Sequence, residues 1–350
     1  MEQMMSQEGL DQLNAWLDNH PLKSVCSLAL EDVSNPDMSR HDEVVKRIEL
    51  AWNKANADSW DAPVAYLPNE MWRKSVEDVR AGFIQALERG QCVGDYLKNF
   101  WRNECSEHLL KYVTFDSLQE HGDLAKAHLQ YKILKDVAVW AEYAEAHEIS
   151  VLELPPIGNP FGCRVNNTLI TGASLHSNYY AERIGKLIHE GSLVTEIGGG
   201  IGVMAYYLLQ RNSSLRYVNF DLPDILPVCQ YFLMMALPDK KFKLYGEEVE
   251  DIDIALLPTF CIEDMRDNSS DVIVNIHSLS EMTKEATEEY AKQISRICTG
   301  YFFHENSVVK QNFNETSLLN FKPEGFDRIY MLPAIWGESI YRENCMRKVE

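Results

Sequence analysis

The sequence has no C-x-x-C pair, no basic surplus and no apolar run long enough to span a bilayer. Its longest apolar stretch, near Tyr231–Leu237, falls far short of the ~20 residues a membrane helix needs. The eight cysteines (Cys26, Cys92, Cys105, Cys163, Cys229, Cys261, Cys298 and Cys345) are dispersed. That spacing argues against thiolate metal sites and disulfide frameworks, and reduced thiols in a cytoplasmic setting are expected. The start, Met1-Glu2-Gln3-Met4-Met5, has neither the basic segment nor the apolar core of a signal peptide. Lys and Arg number 33 against 53 Asp and Glu, a formal net charge of −20. A nucleic-acid partner needs a basic face and an anionic membrane surface needs a polybasic one, so neither is expected. The acidity is spread along the chain with no polyanionic block, which reads as a solvated surface. No internal repeat or low-complexity segment is present.

What is present divides into two kinds of sequence. Six of the seven Trp (Trp16, Trp52, Trp60, Trp72, Trp101 and Trp140) precede residue 150. From Asp123 to His147, apolar Leu124, Ala127, Tyr131, Leu134, Ala138 and Ala141 recur at spacings of three and four, one face of a long helix. Shorter helical patterns run through Glu77–Glu88 and Asp95–Tyr112, and Asn53–Asp61 with Pro63 and Pro68 reads as a loop. The tryptophans are expected mainly as core and helix–helix anchors. Residues 1–150 are therefore expected to form a helical N-terminal region.

The Pro- and Gly-rich stretch Leu154–Gly162 marks a turn-rich boundary. Beyond it, strand patterns at Leu193–Ile197, Tyr217–Phe220, Asp271–Asn275 and Gly300–His304 alternate with helical ones. Thr283 is a plausible N-cap for a helix ending near Cys298, with Ala286, Tyr290, Ile294 and Ile297 as its buried face. Gly325–Met331 and Ser339–Met346 read as an antiparallel pair at the edge of the sheet. Strand–helix alternation implies an α/β fold over 151–350, a Rossmann-like, mostly parallel sheet with helices on both faces.

The strongest motif is Glu196-Ile197-Gly198-Gly199-Gly200-Ile201-Gly202 at the end of a strand. A dinucleotide fingerprint would need its third glycine where Val203 stands, and no Lys-Ser/Thr pair follows to make a P-loop. Glu196 suits a cationic ligand, met directly or through the loop, better than a pyrophosphate. Asp221 closes the next strand, 23 residues after Gly198, where a carboxylate can accept both ribose hydroxyls of an adenosine.

Together these elements resemble the core of class I S-adenosylmethionine-dependent methyltransferases. Asp221-Leu222-Pro223 resembles the D-L-P turn of small-molecule O-methyltransferases, and Asn275-Ile276-His277-Ser278-Leu279-Ser280-Glu281-Met282 resembles the N-x-x-S-x-x-E-M signature of the sugar O-methyltransferase family. Gly158-Asn159-Pro160, Tyr179-Tyr180 and the aromatic strand Tyr301–Phe303 ending in Asn306 match as well. The resemblance covers roughly residues 95–310, is strong across 190–285 and thin before 95. It implies S-adenosyl-L-methionine as cofactor, held by Glu196, Gly198, Gly199, Gly200, Gly202, Asp221, Leu222 and Asn275, and a small-molecule acceptor, a sugar or glycoside. Tyr179, Tyr180, Arg164 and Ser278 are the candidate acceptor contacts.

A sugar hydroxyl needs a base in the transition state. His277 follows a central strand, and a helical turn would set Glu281 on its face as orienting partner. His176 is the second candidate base and His304-Glu305 the third; the remaining histidines His108, His121, His128 and His147 are expected to be structural or exposed. No residue is assigned to a metal. The third strand is either Phe242–Tyr245 or Ile254–Leu257, and Glu263-Asp264 is a candidate adenine neighbour or a solvated loop. An aromatic-hydroxyl or amine acceptor, and a scaffold that binds the donor without turnover, are the competing readings. The helical region is expected to form part of the acceptor pocket or a contact between copies.

Overall fold

A computed structural model describes residues 7–33, 37–70, 72–74, 76–77, 80–82, 93–103, 114–143, 149–310, 315–336 and 340–349. The chain folds as two compact units that interleave in sequence: Met1–Arg40 with Gly82–Tyr180, and His41–Ala81 with Ala181–Glu350. The change in sequence character near residue 150 therefore does not coincide with the division into units. The boundary at Tyr180 falls inside the helix Ser174–Gly185.

In the first unit the expected long helix is present as Gly122–Tyr143, but its buried side is turned from the expected face: Ala125, Leu129, Ile133, Val137 and Trp140 are buried beside Ala127 and Leu134, whereas Ala138 is exposed and Leu124, Tyr131 and Ala141 are half-buried. Three short strands, β1 (Cys26–Ala29), β2 (Gly162–Val165) and β3 (Thr168–Ile170), pair antiparallel. The Pro-rich stretch is a fixed turn: Trp101 donates from Nε1 to the Ile157 carbonyl at 3.0 Å and from its backbone N–H to that of Gly158 at 3.1 Å. That anchorage explains why the Asp95–Tyr112 pattern is not one helix. A short helix, Val93–Leu97, gives way to a 3-10 turn at Phe100–Arg102. Residues 104–112 of that pattern, 83–88 of Glu77–Glu88, His108, His147 and Ser339 lie outside the described residues.

In the second unit the helix His41–Asp58 overrides the expected loop at Asn53–Asp61. Val44, Val45, Ile48, Ala51 and Ala55 supply its buried face, and the polar residues of 53–58 occupy the outer one. It packs on the helix Leu226–Ala236, where His41 Nδ1 lies 2.9 Å from the Tyr231 hydroxyl. Among the described residues, Trp101 and Trp140 are fully buried whereas Trp60 is 88% exposed.

The main sheet of this unit runs β10-β11-β9-β8-β4-β5-β7-β6. Its members are β4 (Leu193–Ile197), β5 (Arg216–Asp221), β6 (Phe242–Leu244), β7 (Ile254–Pro258), β8 (Ser270–Ile276), β9 (Cys298–Ser307), β10 (Phe326–Pro333) and β11 (Tyr341–Lys348). β4 to β9 are parallel, and β11 and β10 join antiparallel at one edge. Both alternatives for the third strand are strands; β7 lies beside β5, and β6 is the far edge. The helix Lys284–Ile297 starts as expected, with the Thr283 hydroxyl accepting from the Ala286 N–H. Its Tyr290, Ile294 and Ile297 enter the core with Phe220, Ile273 and Phe302. The chain leaves β4 for β5 on one side and returns to β8 on the other. The crevice beyond the carboxyl ends of β4, β5 and β8 is therefore the place for a ligand.

Candidate functional site

β4 enters this crevice through the glycine loop. Gly198, Gly200 and Gly202 have φ of +77°, +56° and +89°, the left-handed region that a side chain disfavours. The loop is bonded to the end of β5 by its own N–H groups. Gly198 donates to the Phe220 carbonyl at 2.8 Å, Gly199 to Asn219 Oδ1 at 3.0 Å and Gly200 to Asp221 Oδ2 at 2.8 Å. A Cβ at Gly199 would lie 2.7 Å from Asn219 Oδ1 and 2.8 Å from Glu196 Oε2. Gly202 then opens the helix Val203–Arg211.

Asp221 is the keystone of this turn. Its Oδ1 accepts from the Leu222 N–H at 2.8 Å, while its Oδ2 holds Gly200. Burial pushes its carboxyl up to about 6 against the opposing pull of the Gly200 and Leu222 N–H groups. A carboxylate has about four acceptor positions, so two remain on Asp221 for the hydroxyls of a ribose. The cradle therefore fits a nucleoside.

Glu196 is buried beneath the loop, its carboxyl against the Tyr217 hydroxyl. Of the two routes expected from the sequence, direct contact or influence through the loop, this placement suits the second: the carboxyl braces the turn from beneath. Burial pushes Glu196 up to about 8; the Tyr217 hydroxyl opposes the rise and the charge of Asp221 adds to it. The folded protein thus holds a proton that the unfolded chain releases near 4.5. Between those values folding takes up a proton, and stability falls as pH rises toward about 8, then levels. Glu196→Gln keeps an acceptor for Tyr217 and removes the titration. Urea unfolding of the ligand-free protein should show the variant gaining on the wild type by a few kcal/mol from pH 5 to pH 9. Parallel stability curves would refute the assignment.

The segment after β8 is tied in from both sides. Asn275 Nδ2 donates to the Ile197 carbonyl at 2.8 Å and to Ser278 Oγ at 2.5 Å, and its Oδ1 accepts from the Leu279 N–H at 3.2 Å and from Asn306 Nδ2 at 2.8 Å. Those four bonds use the capacity of the amide. Asn275 is thus an organiser of the loop and not the direct cofactor contact expected. Ser278, half-buried, donates to the Ile197 carbonyl at 3.2 Å and fills the space a Cβ on Gly198 would take.

His277 stands at φ +71°, ψ −32°, a left-handed conformation uncommon outside glycine. Its backbone N–H donates to the Glu305 carbonyl at 2.7 Å, its Nε2 lies 2.9 Å from Glu305 Oε1, and its ring packs on Tyr341. The expected partner, Glu281, is elsewhere: its Oε2 accepts from Trp72 Nε1 at 3.0 Å. The correction has a plain cause. An i,i+4 pair needs a helical backbone at residue 277, and the chain there is left-handed, so β9 supplies the carboxylate instead. Residues 278–281 form only a 3-10 turn.

His304 is fully buried, stacked on Phe302, and its imidazole is pushed down to about 3 by burial and by Arg328. It is a core residue; of the pair named from the sequence, Glu305 alone faces His277. His176, Tyr179, Tyr180 and Arg164 belong to the first unit. His176 Nε2 lies 3.2 Å from Asp136 Oδ2, the two tyrosines are buried edge to face, and Arg164 pairs with Glu31 at 3.2 Å near the surface. Glu263 and Asp264 end a 3-10 turn after β7 and are exposed. Among the described residues, no group of three or more His, Cys, Asp or Glu is placed to hold a metal, and no helix is long and apolar enough to cross a membrane.

No protein-family model matches the sequence, and no curated protein matches it. Solved structures match about half of the chain. One is the mitomycin 7-O-methyltransferase MmcR, with 16% identity and a TM-score of 0.38 over 51% of this chain. The match spans 56% of that protein. Another is the magnesium protoporphyrin IX methyltransferase ChlM from Synechocystis PCC 6803 with bound SAM, with 12% identity and a TM-score of 0.36 over 49% of this chain and 76% of that one. A third is a SAM-dependent methyltransferase from Aquifex aeolicus, with 13% identity and a TM-score of 0.34 over 49% and 89% of the two chains. The site itself, and not these partial likenesses, bears the functional argument.

Proposed function

We propose that the chain is a class I S-adenosylmethionine-dependent methyltransferase. Its reaction is O-methylation of a small neutral acceptor, a sugar or glycoside hydroxyl, with His277 as general base and Glu305 as its orienting carboxylate. The observation that carries this reading is the adjacency of two devices on neighbouring strands. A glycine loop locked to Asp221 follows β4, and a His–carboxylate pair follows β8. When bound, the donor supplies a methyl group already activated on a sulfonium, so most of the remaining work is placement and proton removal.

The residues divide that work. Asp221 fixes the nucleoside, and the glycine N–H groups bonded to the end of β5 hold the loop that cradles it. Asn275 and Ser278 tie the loop carbonyl of Ile197 to the turn that carries His277, so both devices share one frame. The Glu305 carboxylate, bonded to Nε2, orients the imidazole of His277 that takes the hydroxyl proton and stabilises the imidazolium. The sugar acceptor is supported by the Asn275–Met282 signature, and a neutral polyol suits a chain of net charge −20. For residues 1–150 we propose a part in acceptor choice or self-association, and for the whole chain a cytoplasmic location. Calorimetric titration with S-adenosylhomocysteine should show one site, weakened about ten-fold or more in Asp221→Asn, in line with the loss of a bond to a charged group. A folded protein that binds neither donor nor product would refute the reading.

A further inference from the structure

One segment outside every motif touches three of the loops that surround the crevice. After β5, the buried carboxylate of Asp224 accepts from Trp52 Nε1 at 2.8 Å and pairs with Arg80 through both oxygens, at 3.3 Å and 2.9 Å. After β7, the Thr259 hydroxyl donates to the Tyr66 carbonyl at 2.7 Å. After β8, Asn69 Nδ2 donates to the Glu281 carbonyl at 2.6 Å and Trp72 Nε1 to its carboxylate at 3.0 Å. β5, β7 and β8 are parallel, so the three loops lie along one edge of the sheet, the edge that carries the glycine loop. A segment bonded to all three lies across that edge. Its outer side is solvated, with Val64 more than four-fifths exposed.

We propose that residues 63–70, together with Trp72 and Arg80, form a strap over the donor crevice, with Trp72 and Arg80 as positioning residues acting through Glu281 and Asp224. This rests on the donor-binding reading above. Asp224 lies three residues after Asp221 in the same turn, and Glu281 lies in the turn after His277. Holding both turns fixes the ribose carboxylate and the base against one another. Lifting the strap leaves the buried Asp224 carboxylate without its guanidinium, which favours reclosure. A donor entering past the strap must first break a small number of side-chain bonds. Once seated, it should lower the frequency of strap opening.

The test is hydrogen–deuterium exchange on the full chain with and without S-adenosylhomocysteine, together with stopped-flow release of that product. Amides of 64–70 should slow about ten-fold or more on binding. Trp72→Phe and Arg80→Gln should each speed product release and raise the donor KM about ten-fold. Arg80→Lys should restore part of the affinity. Protection of 198–202 without protection of 64–70 would overturn the inference, as would wild-type release rates in folded variants. If neither segment is protected, the donor-binding reading falls and this one with it. The wild-type exchange experiment stands even if a variant fails to fold.

Discussion

His277→Asn should fold and bind the donor normally, yet transfer methyl groups about 10²–10⁴-fold more slowly, the range expected for loss of a general base. Asparagine is the informative replacement. Residue 277 sits at φ +71°, and Asn tolerates the left-handed region better than most residues, so the backbone turn and its bond to the Glu305 carbonyl survive. What disappears is the nitrogen that takes the proton. Glu305→Gln should cost less, about ten- to a hundred-fold, because it leaves a base but not the carboxylate that orients it and offsets its charge. Single-turnover rates at saturating donor and acceptor separate these losses from weakened binding. The strain at 277 supports the assignment: a non-glycine residue kept in that conformation costs of order 1–3 kcal/mol and persists where the surroundings require it.

Gly202→Ala should cost both stability and donor affinity. The backbone there is at φ +89°, and a Cβ would stand 2.9 Å from Cys229 Sγ and 3.1 Å from Leu233, both on the buried face of the helix Leu226–Ala236. Strain from the dihedral angle and overpacking each cost about 1–3 kcal/mol. A combined loss of about 2–5 kcal/mol should appear as a lower urea midpoint with an unchanged m-value. The loop cannot recede without moving the Gly199 and Gly200 N–H groups off Asn219 and Asp221, so donor affinity should fall as well. A variant with wild-type stability and affinity would show that the loop does not need this conformation.

Much of the frame is legible in sequence because it is written in local signals. β4 and its glycines, the acidic end of β5 and the Thr283-capped helix are each specified by a contiguous run. Three features were hidden for different physical reasons. The helix His41–Asp58 ends in polar residues that solvate its outer face, so its last turns look like a loop. The partner of His277 depends on strand register: β8 and β9 pair Ile276 with Glu305, which brings that carboxylate beside the next residue. No spacing along the chain reveals it, whereas Glu281 stands at a spacing that would be right in a helix. The signature Asn275–Met282 marks chemistry less directly than it seemed. Asn275 and Ser278 hold the loop, Glu281 accepts from Trp72, and His277 pairs with Glu305. Glu196 and Asp221 were set apart from the chain's solvated acidity on their positions alone, and both are buried.

The central claim is that the loop locked to Asp221 and the His277–Glu305 pair form one methyl-transfer site. It is tested most directly by incubating the wild type and His277→Asn with methyl-labelled S-adenosylmethionine and a panel of sugars and glycosides. Label and S-adenosylhomocysteine are then followed together. The wild type should place label on a hydroxyl in step with product formation, and the variant should bind the donor equally well while labelling at least about a hundred-fold more slowly. Equal labelling by both proteins would contradict the account.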